Sequence, residues 1–586
     1  MDVQAALQTA YRLGSELLAP RQEGLPALIV ALASLLKPPT PMTLSELAAK
    51  SLRALTEANE HTRAAFITTP IALSNIARAC TASDRPLMVV EVVGALVALC
   101  ASESHELILT DAGTVRALLS VCAANRAAPS TEAPSSLCAT TGKTTVQLAL
   151  KGLSILSESA AVRRALIEEG AVQQFVSILL SHAPESDAYQ SAGWVLVSLA
   201  VDPDLGERAI QAGALRGILS YGSANCERLR EEAAWALANL SATGTNATAM
   251  AELSVLNVLV MLVSTSADEP KVAMQAVWAV ANLAVHAPLK RPLVEVGMVE
   301  ALMVQTELCL GRDLSDSGPD EVRNTVQQCV RAIANLAAEP DNRARITAGE
   351  GVSTILRAAS VPGFGSLKEV AARCLVNLSC DTASAARLVE VGGVAVLINE
   401  LLLSSHPPRV QVEAMLCALN LSTRVPAALV ANNGAYLLSL VSVLDPGRDP
   451  ALFELGAYLL SNLAEASPQI KVALFKSGAL SKLHWLVEQR GVPERARKMA
   501  VEVIRALLTV LTPTSRRAVA QTHAPLPRRL MKGEAPVRTT LSNGWQMRNA
   551  AAPKRSSPLA RMVFIAPTTT WKETTDVVKE PTVFEG

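Results

Sequence analysis

The residues best placed to do chemistry in this 586-residue chain come in pairs four apart: Trp194/Ser198, Trp235/Asn239, Trp278/Asn282, Arg331/Asn335, Arg373/Asn377, Leu416/Asn420 and Tyr458/Asn462. In a helix that separation puts both members on one face. Asn offers a donor and an acceptor, so a ladder of them can hydrogen-bond the main chain of an extended peptide without reading its sequence. An indole face can hold the stem and charge of Lys or Arg. Glu231 and Glu232 stand about one turn before Trp235, so the three Trp pairs are predicted to seat a basic peptide. Arg331 and Arg373 take the Trp place in later pairs, followed by Leu416 and Tyr458, and there the expectation turns to acidic or apolar partner segments.

These pairs need a scaffold that presents them at intervals. In the stretch Glu269–Met303, Val272, Val277, Val280, Leu283 and Ala284 recur at helical spacing, with Pro270 where a first turn tolerates it. The pattern breaks at His286-Ala287-Pro288, resumes at Leu293-Val294, and turns at Gly297 into another helix near Val299. The same frame of long helix, short helix, corner and helix recurs with corners at Gly24, Thr69, Gly113, Gly170, Gly213, Ser254, Gly297, Glu350, Gly392, Gly434 and Gly478. Most spacings are 41 to 45 residues. Those of 57 before Gly170 and 53 before Glu350 contain polar insertions, predicted as loops over 123–142 and 311–321. Pro270, Pro319, Pro408 and Pro450 mark starts of the long helix, and Asp449 supplies a cap.

A three-helix period near 42 residues, and the motifs AWALANLS and VWAVANLA around Trp235 and Trp278, resemble the armadillo repeat family. The resemblance covers Leu44 to Leu511 as nine or ten repeats. It implies an all-α, right-handed superhelical solenoid whose third helices line a concave groove. It also implies that Asn in this motif can bond within the repeat as well as to a ligand. The Trp rungs are similar to the importin alpha branch in the middle repeats only, since that branch's second Trp/Asn patch and basic N-terminal segment are absent. Residues 1–43 are expected to form a helical cap or partial repeat. Residues 512–586 are expected to be a basic, Pro-rich, disordered tail, and Arg528, Arg529, Lys554 and Arg555 are candidates to occupy the groove in cis. Lys554–Pro558, KRSSP, reads as a docking or nuclear-targeting segment switched by phosphorylation.

Composition narrows the function classes. Hydrophobic residues make up 50% of the chain but aromatics only 3%, so the core must be Ala, Leu and Val. Lys plus Arg and Asp plus Glu both total 53, which leaves no bulk field for nucleic acid or membrane. The ten cysteines are scattered without a CxxC pair, as in a reducing compartment. No apolar run reaches membrane-spanning length, and Asp2 excludes N-myristoylation. The GKT at Lys143 lacks a phosphate loop's first glycine, Leu137 standing in its place. The seven His show no HExxH or catalytic pairing. The reading is therefore a non-enzymatic protein-interaction scaffold or adaptor with no cofactor and no metal, expected in the cytoplasm. A divergent import adaptor in the nucleus and a component of a cytoskeletal or ciliary assembly are the alternatives.

Overall fold

The computed structural model describes residues 24–509 except 82–83, 102–105, 125–135, 266–268, 446 and 490, together with 546–549 and 562–565. The chain forms two compact units, Met1–Val258 and Leu259–Gly586. In the first unit the long helices are α1 (Met42–Ala58), α2 (Pro86–Cys100), α3 (Ser136–Leu156), α4 (Asp187–Ser198) and α5 (Glu227–Ser241). In the second they are α6 (Pro270–Leu283), α7 (Asp320–Ala337), α8 (Gly365–Leu378), α9 (Pro408–Arg424), α10 (Pro450–Ala466) and α11 (Glu494–Leu508). Shorter helices fill the intervals, as Ala287–Glu295 and Met298–Leu310 do between α6 and α7. Within each unit every long helix packs along the next, α1 through α5 in one and α6 through α11 in the other.

Small and branched aliphatic side chains make this stacking possible. Val272, Val277, Val280, Leu283 and Ala284 are all fully buried, as are Ala233, Ala234, Ala236 and Leu237 in α5. Alanine at the contacts lets helix axes approach to about 8–10 Å, and leucine fills the layer between them.

The corners follow from backbone stereochemistry. Gly113, Gly170, Gly213, Gly297, Gly392, Gly434 and Gly478 all have φ between 66° and 90°, a region that costs a residue with a Cβ roughly 1–2 kcal/mol. At the corner predicted at Glu350 the left-handed residue is Gly349 (φ 53°), one position earlier. Pro270, Pro408 and Pro450 each open their helix at its first position, and Asp449 accepts a 2.8 Å bond from the Ala451 amide. Pro319 stands one residue outside α7.

One expectation is corrected. The helix α3 begins at Ser136, so residues 136–142 are helical where a loop over 123–142 was predicted, and Lys143 lies inside that helix. Residues 311–319 are loop and turn up to the start of α7, as expected. In the segment predicted as a disordered tail, β1 (Gln546–Asn549) pairs antiparallel with β2 (Met562–Ile565). The rest of 512–586, including Arg528, Arg529, Lys554 and Arg555, lies outside the described residues, as do residues 1–23. Among the described residues no single helix is long and apolar enough to cross a membrane.

Candidate functional site

Four Asn residues of the second unit's long helices are committed within the fold. The Nδ2 of Asn335 donates to the Ala281 carbonyl at 3.3 Å, that of Asn377 to Ala334 at 2.8 Å, and that of Asn420 to Val376 at 3.3 Å and to Ser379 Oγ at 3.0 Å. Asn462 donates to Ser422 Oγ at 2.9 Å. Each bond reaches from one long helix to the last turn of the preceding one, so the amides tie α7 to α6, α8 to α7, α9 to α8 and α10 to α9. Asn282 is buried, Asn239 is half-buried, and the buried Ser198 turns its hydroxyl onto the Val195 carbonyl at 2.7 Å.

The rungs opposite the Asn positions differ among themselves. Trp194 on α4 and Trp278 on α6 are half-buried, whereas Trp235 on α5 is only 6% exposed and does not present an open indole face. Arg331 is buried and donates to Gln328 Oε1 at 3.1 Å on its own helix. Arg373 lies 3.5 Å from Glu369 and 3.5 Å from the buried Glu413, so Glu369 offsets its charge before any acidic partner arrives. Leu416 is buried and Tyr458 half-buried, burial raising the Tyr458 hydroxyl above its ordinary pKa.

The predicted acids near Trp235 are also drawn inward. Glu232 accepts from the Tyr221 hydroxyl at 2.7 Å and pairs with Arg228 at 2.7 Å, while Glu231 on the same turn is half-buried and likewise has an interaction. Burial raises the Glu232 carboxyl above the usual range, and its two partners oppose that. Burial and the neighbouring Glu232 charge push the Tyr221 phenol far up, which keeps it a donor. The Tyr221 ring fits because residue 193 is glycine: a Cβ there would come within 2.1 Å of it. Arg228 closes the network with a 2.7 Å bond to Gln190 Oε1 on α4. Sequence reasoning missed Tyr221 and Gln190, although Arg228 and Glu232 at i and i+4 were a visible signal.

Among the described residues, the first unit has a pocket of about 520 Å³ bounded by three successive long helices. The helix α3 contributes Gln147, Leu148, Lys151 and Ile155, α4 contributes Asp187, Gln190 and Trp194, and α5 contributes Arg228. The local folding is simple: Ser186 caps α4 by accepting from the Tyr189 amide at 3.3 Å, and successive turns then bring Asp187, Gln190 and Trp194 onto one side. Lys151 and Ile155 occupy in α3 the places that Trp and Asn hold in later repeats.

No known family profile matches the chain, and no curated protein does. Among solved structures, one of the interaction between cadherin and beta-catenin, concerning its phosphorylation switch, is similar with a TM-score of 0.59 and 17% identity, covering 86% of this chain and 95% of that one. A crystal structure of an engineered protein is similar with a TM-score of 0.51 and 21% identity, covering 82% of this chain and 99% of that one. At such identities the likeness speaks for the fold alone. Beta-catenin is an armadillo protein, and the fold here is accordingly an all-α, armadillo-like repeat solenoid.

Two outcomes follow from this geometry. Asn377→Ala removes a buried inter-repeat bond and should destabilise the protein by roughly 1–3 kcal/mol in urea unfolding; an unchanged midpoint would mean the tie carries no stability. Burial raises the Glu413 carboxyl to about 8. The folded state then holds a proton that the unfolded state releases near its ordinary value, so this group makes stability fall as pH rises from about 4.5 to 8. Glu413→Gln should accordingly match the parent near pH 4 and be more stable than it at pH 8, read as the difference between two melting curves.

Proposed function

We propose that the protein is a non-enzymatic scaffold or adaptor that binds an extended segment of a partner protein along the lining formed by its long helices. The observation that carries this reading is the open pocket at Trp194, shared by α3, α4 and α5. Three consecutive repeats contribute to it, so a bound segment running across the helices would touch each in turn. Affinity would come from side chains, because the Asn donors of the second unit are committed to neighbouring helices. An aromatic anchor in a partly enclosed pocket is the kind of feature that concentrates binding energy. The thiols support a role without covalent catalysis: burial pushes Cys80, Cys122 and Cys417 up to about 12, where the nucleophilic thiolate is scarce at neutral pH.

The test is affinity purification of the tagged full chain from cells, with mass spectrometry of what it captures. Trp194→Ala should lower recovery of the main partners about tenfold. Leu180→Ala, at an exposed position on the helix Val172–Ser181, should leave recovery unchanged. A partner set indifferent to Trp194→Ala overturns the proposal.

A further inference from the structure

The lining of the Trp194 pocket carries two basic side chains, Lys151 and Arg228, and one acid, Asp187. Between Ser136 and Leu156, α3 carries Lys143 and Lys151 and no Asp or Glu. Lys151 is exposed on the pocket wall, and among the described residues no ion pair or side-chain hydrogen bond holds it. Across the pocket, Arg228 is fixed by its bonds to Glu232 and Gln190 yet remains 54% exposed, so its charge is held in place at the surface. Glu232, the acid that would offset it, is 12% exposed and taken up by Tyr221 and Arg228. Asp187 is the remaining acid on the lining, and it sits in the first turn of α4, where the helix N-terminus partly neutralises it. The same lining includes the apolar and aromatic side chains of Trp194, Leu148 and Ile155.

We infer that this pocket selects an anionic side chain of the docked segment, a carboxylate or a phosphate, with a neighbouring apolar side chain packed on Trp194. The anion pairs with Lys151, whose flexible stem lets it close over the ligand, and takes a further contact from the prepositioned Arg228. This reverses the basic ligand that the Trp rungs alone suggest, and it rests on the groove-binding reading above. Nucleic acid fits less well, because binding a polyanion draws on many phosphate contacts and this chain carries as many acids as bases.

The experiment selects phage-displayed random dodecapeptides on the immobilised full chain and measures the recovered peptides by fluorescence anisotropy. Asp or Glu should be enriched within two positions of Phe, Trp, Leu or Ile. Lys151→Glu should weaken binding about tenfold at low salt, and Lys151→Arg should retain it, with helix content checked by circular dichroism. Remaking the acid as Asn should abolish binding, while phosphoserine at that position should preserve it, the tighter of the two anions identifying the natural source. A basic consensus, or peptides indifferent to Lys151→Glu, overturns this inference and leaves the groove-binding reading standing. Failure to recover any peptide, with oligouridylate bound instead and lost in Lys151→Glu, overturns both.

Discussion

A single hydrogen bond, made by four successive long helices, α7 through α10, organises the second unit: the side-chain amide of an Asn on one long helix donates to the last turn of the helix before it. Asn335, Asn377, Asn420 and Asn462 all do this, with separations of 2.8 to 3.3 Å. A net contribution of about 1 kcal/mol per bond is small beside the burial of the Val, Leu and Ala layer. Hydrophobic contact is tolerant of sliding, however, and a bond to a particular carbonyl is not. The amide therefore fixes the register at which one repeat meets the next, and the apolar layer supplies the stability.

That commitment decides where recognition can occur. With Asn335, Asn377, Asn420 and Asn462 bonded to neighbouring helices, Arg331 buried and hydrogen-bonded to Gln328, and Arg373 beside Glu369 and Glu413, these rungs of the second unit are engaged within the fold. The first unit differs. There Lys151 has no ion pair among the described residues and stands at a rung position, Trp194 is half-buried, and the two share one pocket. A chain with balanced charge overall can thus carry two basic side chains at one pocket, because Glu232 beside them is folded inward against Tyr221 and Arg228, which leaves Asp187 as the acid on the lining. The likeness to a beta-catenin structure extends to the repeat fold.

Much of the architecture was legible because it is written in local pattern. Helical periodicity fixed the long helices, Pro270, Pro408 and Pro450 marked their first positions, and glycine at the corners anticipated the left-handed backbone of Gly113, Gly213 and Gly297. Periodicity says less about where a helix begins when its first turns are polar, which is why α3 starts at Ser136 inside a stretch that reads as a loop. The partners of the polar side chains were harder still to see, since each lies a full repeat away: Asn377 with Ala334, Arg373 with Glu413, Arg228 with Gln190. A spacing of four residues shows that Trp235 and Asn239 share a face. It does not show that the Trp235 face is covered, because the covering atoms come from other elements of the fold.

The central claim is that the long helices of the first unit form the surface that grips a partner. Hydrogen–deuterium exchange of the full chain, read by mass spectrometry with and without a captured partner, addresses it directly. Protection should appear over residues 144–155, 187–194 and the start of α5 near Arg228, leaving the helices Val172–Ser181 and Ala214–Gly222 unchanged. Protection confined to those two shorter helices, with none on α3 and α4, would contradict the account.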